Sequence, residues 1–470
     1  MSRIKTGLIF IILIFSISAR AGTVILKGTA PEWTGTQLEF ITYSDQISYT
    51  EKVLCSTVVD NTGNFKCSFE THETVYVFIY LGTYEAYFFA EPDSDYTLIL
   101  PEKTEKSISD KLNPYFKTVL YHLGIENSSQ TELNYLLAWF DTEFSNMINS
   151  NAYLIYTKSS ELNVDAAISS VDSIFKNFNN PYFVDYKNYS YAAFRHLSFQ
   201  QKSKSISNSY YLNYKILYQN KAYMDLFNQV YDKYFSYFGR TEKGKQIYSD
   251  IGLHKSITLL KKTLGQDSIL TNDTLKELVI LKCLHDEFYD DMISRSATLT
   301  VLDSLALQTT NEEHKQIANN IRQKVTRLMV GFEPPPFTLF DKDSNLVTLE
   351  KYRGKYVYLG FCASISYACI QEFEMLRKLH EKHAANFEII VICMDESLAQ
   401  MKTFVEKMNY PYTFLFYGNQ ADVFKEYDIR ALPTYYFINK EGKLALSPAA
   451  SPGENIEYYI FQVMRANKDI

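Results

Sequence analysis

Tryptophan is nearly absent from this chain of 470 residues: only Trp33 and Trp139 occur, against 38 tyrosines and 32 phenylalanines. Six cysteines are too few to staple a scaffold of this length with disulfides. A basic excess is also missing. Lys+Arg number 47 against 54 Asp+Glu, for a net charge of −7, and no basic stripe interrupts the acidic balance. Nucleic acid is therefore not an expected partner. After the first 21 residues no run is apolar enough to span a bilayer. There is no glycine-rich phosphate loop, no local Ser-His-Asp signature and no repeat of fixed period. His380 and His383 share a helical face, but two ligands without a third do not make a metal site. No cofactor is expected.

The length suggests about three domains. Residues 1–21 read as a signal peptide. Arg3 and Lys5 precede an apolar run from Gly7 to Ile17, and Ala19-Arg20-Ala21 is a small-x-small cleavage site before Gly22. The run is shorter than the ~20 residues of a spanning helix, and no cysteine follows for lipid attachment. Removing Arg3, Lys5 and Arg20 takes the net charge from −7 to −10. The expectation is an exported, periplasmic protein of the cell envelope, where disulfides persist.

Residues 22–101 read as a β-sandwich. Val53–Val59 and Phe65–Phe69 flank Asp60-Asn61-Thr62-Gly63-Asn64 as a hairpin, and Tyr76–Leu81 and Tyr84–Phe89 form another around Gly82-Thr83. Cys55 and Cys67 flank the first loop; a cross-strand disulfide and two separate strand residues both fit. Residues 102–330 read as α-helical, from 3.6-period sets such as Tyr211, Tyr214, Tyr218 and Leu275, Leu278, Leu281, Phe288. The tyrosines read as helix packing with hydroxyls at the wet edge, or else as a binding groove. Pro334-Pro335-Pro336 reads as a stiff hinge into residues 331–470.

The stretch with chemistry runs from Phe361 to Glu372, Phe-Cys-Ala-Ser-Ile-Ser-Tyr-Ala-Cys-Ile-Gln-Glu. It joins an apolar strand, Val357–Phe361, to a helix with Ile370, Phe373, Leu376 and Leu379 on one face. A thiol in the first turn of such a helix ionises more easily than a free one.

These surroundings resemble the thioredoxin fold, and within it the envelope thiol–disulfide oxidoreductases of the TlpA/ResA type, related to the AhpC/TSA proteins. Pro336-Phe337-Thr338-Leu339 resembles the entry strand, Ile390–Asp395 the next central strand, Tyr427–Thr434 the cis-proline segment, and Phe437–Lys443 the closing hairpin. The β-rich start resembles the small sandwich that precedes such domains in Bacteroidetes-type proteins. The resemblance implies an α/β thioredoxin-like fold for 331–470, within a multidomain α+β chain. It also implies protein or peptide thiols and disulfides of the envelope as partners.

The site departs from the family pattern Trp-Ala-x-Trp-Cys-x-x-Cys. Those positions read Cys362, Ala363, Ser364, Ile365, Ser366, Tyr367, Ala368 and Cys369. The attacking cysteine has become Ser366, so the ordinary two-thiol relay is lost. Cys369 then has three readings: an inert buried thiol, a thiol that forms mixed disulfides, or a peroxide-reactive thiol. The last rests on Ser366-x-x-Cys369-x-x-Glu372, which is similar to the peroxiredoxin core Pro-x-x-x-Thr/Ser-x-x-Cys-x-x-Glu. Cys362 replaces that proline, and Pro433 stands near the place of that family's arginine, with Arg430 as a substitute cation. Glu372 matches a glutamate that tunes thiol pKa, and Leu432-Pro433 the peptide whose backbone receives an incoming strand. The candidate catalytic residues are Cys369, Ser366 and Glu372; the docking residues are Leu432 and Pro433. Cys362 reads as a small filler in the strand-to-helix turn, or as partner to Cys369 in a Cys-x6-Cys couple. A non-enzymatic protein that binds a peptide in the cis-proline groove is the alternative function.

Overall fold

The structure is a computed structural model and describes residues 21–107, 110, 116–126, 128–290, 292–420 and 422–470. Apart from Ala21, the expected signal lies outside the described residues.

Nine strands build two facing sheets: β1 (Gly22–Thr29), β2 (Gln37–Tyr43), β3 (Glu51–Val58), β4 (Asn64–Thr71), β5 (Val75–Leu81), β6 (Tyr84–Ala90), β7 (Asp95–Ile99), β8 (Val119–His122) and β9 (Gly124–Ile125). Their orders are β4-β1-β7-β9 and β3-β2-β5-β6-β8. The strands β5 and β6 pair as the expected hairpin. The expected hairpin of β3 and β4 is different. β3 pairs with β2 and β4 with β1, so the Asp60–Asn64 turn passes from one sheet to the other. Asp60 holds that turn by accepting the N–H groups of Thr62 and Asn64 at 2.8 and 3.0 Å. Cys55 and Cys67 lie on these two strands with sulfurs 2.28 Å apart and Cα atoms 6.0 Å apart, a contact from sheet to sheet rather than within a hairpin.

The sheets run past residue 101, because β8 joins β6 in parallel and β9 joins β7. β8 is a short, mostly exposed edge with no alternation of apolar and polar residues to announce it. The strand β5 is buried on both sides. Val75, Val77, Ile79 and Leu81 face the sandwich interior, whereas Tyr76 and Phe78 pack outward against helices carrying Leu133, Leu137 and Phe140. This two-sided burial welds the helical part to the sheet. Asn134, buried at the start of α1 (Leu133–Tyr156), fastens it further by donating to the Phe89 carbonyl at 2.8 Å and accepting the Phe89 N–H at 2.6 Å.

Helices α2 (Val164–Phe175), α3 (Pro181–Leu197), α4 (Lys221–Val230), α5 (Asp273–Asp286), α6 (Arg295–Gln308) and α7 (Glu312–Thr326) dominate the middle. No continuous helix carries Tyr211, Tyr214 and Tyr218: helical structure stops at Tyr211, and the chain turns until Asn220 caps α4. Tyr211 is fully buried, while Tyr214 is exposed. Tyr211, Tyr223 and Tyr231 form a fully buried aromatic series, with Tyr211 edge-on to both others. The Tyr211 hydroxyl donates to the Tyr223 carbonyl at 3.0 Å, so these rings are core rather than groove or wet edge.

Tyr218 and buried His314 belong to a polar cluster with Glu277. Tyr218 Oη lies 2.9 Å from His314 Nε2, and Glu277 Oε2 lies 2.8 Å from His314 Nδ1. Lys261 and Thr309 donate to the same carboxylate at 2.5 and 2.8 Å. Burial opposes its charge, but the bonds from His314, Lys261 and Thr309 outweigh it and lower the Glu277 pKa from 4.5 to about 2. A depressed carboxyl pKa stabilises the fold above the ordinary value and loses that contribution as pH falls through the folded value. Glu277→Gln should therefore cost about 2 kcal/mol at neutral pH, and the gap to wild type should narrow between pH 4.5 and 2. Urea midpoints along a pH series measure this; a gap constant with pH refutes it.

The C-terminal domain contains β10 (Thr338–Asp341), β11 (Leu346–Thr348), β12 (Tyr356–Cys362), α8 (Tyr367–His383), β13 (Phe387–Cys393), α9 (Leu398–Met408), β14 (Thr413–Phe416), β15 (Thr434–Ile438), β16 (Leu444–Ala449) and α10 (Ile456–Ala466). The sheet order is β11-β10-β14-β13-β12-β15-β16. β12 is buried along its whole length. Tyr356, Tyr358 and Cys362 face one layer of the core, and Val357, Leu359 and Phe361 the other. This explains a continuous apolar run where an exposed sheet face would alternate. The three prolines do not float as a free hinge. Gly331 N–H donates to the Leu444 carbonyl and Leu444 N–H to that of Phe332, both at 2.8 Å, and Tyr427 Oη donates to the Pro335 carbonyl at 2.7 Å. Lys425 reaches back to Glu51 of the sandwich at 2.6 Å.

Candidate functional site

β12 and β13 run parallel, with Cys362 opposite Cys393 at their C-terminal ends. This is the end of a parallel sheet at which ligands bind in open α/β folds. The chain leaves β12 through a turn tied to β13: Met394 N–H donates to the Cys362 carbonyl at 2.8 Å, and Ser364 N–H to Asp395 Oδ1 at 2.8 Å. The turn feeds α8, whose N-cap is Ser366. Serine commonly caps a helix through its side chain, but Ser366 makes no such bond. Its hydroxyl is one of the groups that lower the Cys369 pKa.

Cys369, in the first turn of α8, is fully buried. Its sulfur accepts the Ala363 N–H at 3.4 Å. The neighbouring Cys362 thiol is the largest influence, and with Ala363 and Ser366 it lowers the Cys369 pKa against burial and the Glu372 charge. The Cys362 thiol is pushed well up by burial and by Cys369 itself. Burial also pushes Cys393 well up. Cys362 is thus the largest influence on the Cys369 thiol. Both cysteines are buried in the same core layer, on either side of the turn between β12 and α8.

Glu372 lies one turn further along α8. Burial raises its carboxyl pKa, Tyr435 and Ser451 lower it, and Glu454 raises it. Tyr435 is buried over Gly360, where an added Cβ would come within 2.7 Å of the ring. It stacks on Tyr358 with centroids 4.9 Å apart. Glu372 Oε2 and Asp395 Oδ2 are buried polar atoms without a hydrogen-bond partner.

The Leu432–Pro433 peptide is cis. Thr434, the next residue, pairs with Phe361, which places Pro433 beside Cys362 and the start of the turn. Leu432 packs against both core layers. Around this edge Ile365 and Tyr367 are 51% and 75% exposed. Arg430 pairs with Asp428 at 2.9 Å. His383 sits 3.3 Å from Glu457, and among the described residues no group of three or more metal-ligating side chains forms. No described helix is long and apolar enough to cross a membrane.

The structure brings Cys369, Ser366 and Glu372 onto one helix start, with Leu432 and Pro433 on the neighbouring strand's entry. It keeps Cys55 and Cys67 apart from them, on the sandwich. Asp395 and Tyr435 join the site without having been singled out in the sequence. Asp395 carried a signal: it is the first acidic residue after the apolar strand Phe387–Cys393, at the ligand-binding end of a parallel sheet.

The fold is that of a thioredoxin-like domain, and its sequence is similar to thiol–disulfide oxidoreductases. Residues 330–447 match the AhpC/TSA family. The thiol–disulfide oxidoreductase ResA of Bacillus thuringiensis subsp. konkukian is 27% identical over 122 residues, covering 26% of this chain and 70% of the relative. That of Bacillus subtilis is 29% identical over 118 residues, 24% of this chain and 64% of its own. Among solved structures, a putative thiol:disulfide interchange protein DsbE from Chlorobium tepidum aligns at 24% identity and TM-score 0.27, covering 29% of this chain and 97% of its own.

Proposed function

We propose that the C-terminal domain is an exported, peptide-docking member of the thiol–disulfide oxidoreductase class in the cell envelope. It grips protein or peptide thiols and disulfides but has lost the two-thiol relay at Ser366. The observation that carries this reading is the division of the site: a cis-proline edge borders open surface while the one cysteine left from the dithiol is buried. Ile365, Tyr367 and the cis Leu432–Pro433 peptide border open surface, whereas Cys369 is fully buried beneath them. A bound strand can pair with backbone at such an edge and seat its side chains on the apolar rim. A disulfide on that strand meets the Ser366 hydroxyl, which is no nucleophile at neutral pH without a base.

A second reading keeps one-cysteine chemistry at Cys369, as a mixed-disulfide or peroxide-reactive thiol. The observation in its favour is the lowered Cys369 pKa, which raises the fraction of thiolate. Pulse labelling of the folded protein separates the two: a Cys369 silent to small alkylating agents and sulfenic-acid probes supports docking without turnover.

The docking reading is tested with the full chain and a panel of extended cysteine-containing peptides, by calorimetry or NMR. Pro433→Ala and Tyr367→Ala should each weaken binding by about tenfold, roughly 1.4 kcal/mol. Affinities unchanged in both variants would remove the cis-proline edge from the function.

A further inference from the structure

We infer that Cys362 and Cys369 form a redox couple of their own, a Cys-x6-Cys dithiol that closes to an intramolecular disulfide across the β12–α8 turn. The inference rests on the reading of this domain as one of the thiol–disulfide class and assigns that class a pair of sulfurs outside the Cys-x-x-Cys spacing.

Three features support it. Both cysteines are free and fully buried in one core layer. Ala363 donates its N–H to the Cys369 sulfur at 3.4 Å, so the sulfur lies against the chain one residue beyond Cys362. The two thiols also influence each other's ionisation, Cys362 lowering the Cys369 pKa and Cys369 raising that of Cys362. Cys393, opposite Cys362 on the parallel neighbour β13, is the competing partner that the test must separate.

The oxidant is a low-molecular-weight disulfide, small enough to enter when the Ala363–Ser366 turn opens. The Cys369 thiolate attacks one of its sulfurs, a bond forms to Cys369, and one small thiolate leaves and takes the proton of Cys362. The Cys362 sulfur then attacks the Cys369 sulfur, the protein disulfide forms, and the second small thiolate departs. Two protein sulfurs are oxidised and one disulfide is reduced to two thiols. Because entry requires the turn to open, the couple exchanges slowly and stoichiometrically and does not act as a rapid reductase of protein disulfides.

The test uses the full chain in glutathione buffers of graded oxidised-to-reduced ratio, with acid quench, alkylation under denaturation and peptide mass mapping. The expected result is a single Cys362–Cys369 linkage that appears with increasing oxidised fraction and is unaffected by Cys393→Ser. Cys362→Ser should instead leave a glutathione adduct on Cys369. A Cys369–Cys393 linkage, or Cys362 and Cys369 both still free at the most oxidising ratio, would overturn the inference. The wild-type map needs no variant to fold. Peptide affinity at the Pro433 edge is read on fully reduced protein, so failure of the couple and failure of docking are separate results.

Discussion

Ser366→Cys should convert the domain into a disulfide reductase. The position is half-buried at the N-cap of α8, three residues before a fully buried cysteine in the helix's first turn. A thiol there stands at the positive end of the helix dipole, which favours the thiolate. Cys369 would become the second sulfur of an ordinary Cys-x-x-Cys pair, able to release the mixed disulfide. Insulin reduction by the variant should exceed the wild-type rate by at least about tenfold, while Ser366→Ala stays at background. Equal rates in wild type and variant would mean that a protein disulfide already reaches Cys369 directly, against the burial that defines the site.

Phe373→Ala should be the most damaging single truncation near the site. Phe373 is fully buried on the inner face of α8 and meets the rings of Phe404, Tyr410 and Phe414 at 5.5–5.7 Å between centroids. Its carbonyl also accepts the buried Tyr412 hydroxyl at 2.9 Å. Emptying this position should cost about 3–5 kcal/mol from lost transfer energy and residual cavity. Amide exchange along β12 and β13 should quicken by roughly 10²-fold or more where it proceeds by opening of the domain. Trp33 and Trp139 lie in the sandwich and α1, so their fluorescence transition should move little. A uniform shift of both probes would show that the domains unfold as one unit.

The C-terminal fold is legible in the sequence because its strands are buried on both faces. Runs such as Val357–Phe361 and Ile390–Met394 need no partner to be recognised as strands. The order of strand, turn, helix and Leu432-Pro433 then fixes their arrangement. What escapes is whatever depends on partners far away in the chain. β8 is an exposed edge defined only by pairing with β6. β3 and β4 look like a hairpin because their turn is short, yet each is captured by a different sheet. Tyr211, Tyr214 and Tyr218 share a helical spacing, but buried contacts of Tyr211 and the cap at Asn220 break the helix between them. At the site, the positions of Ser366 and Cys369 follow from local spacing. The shared burial of Cys362 and Cys369 in one core layer and the turn held by Asp395 follow only from how β12, β13 and α8 converge.

The short backbone exchange of Gly331 and Phe332 with Leu444 has a consequence for how this protein can be handled. It lays the incoming chain along β16, the outermost strand of the seven-stranded sheet, with Ser447 adding a bond to the Leu328 carbonyl at 2.6 Å. An uncovered outer strand is a template for sticking to other molecules. The tail end of the helical region thus acts as a built-in cover strip. A fragment cut to start at Pro334 would strip it away, and such a fragment should self-associate where the full-length protein does not.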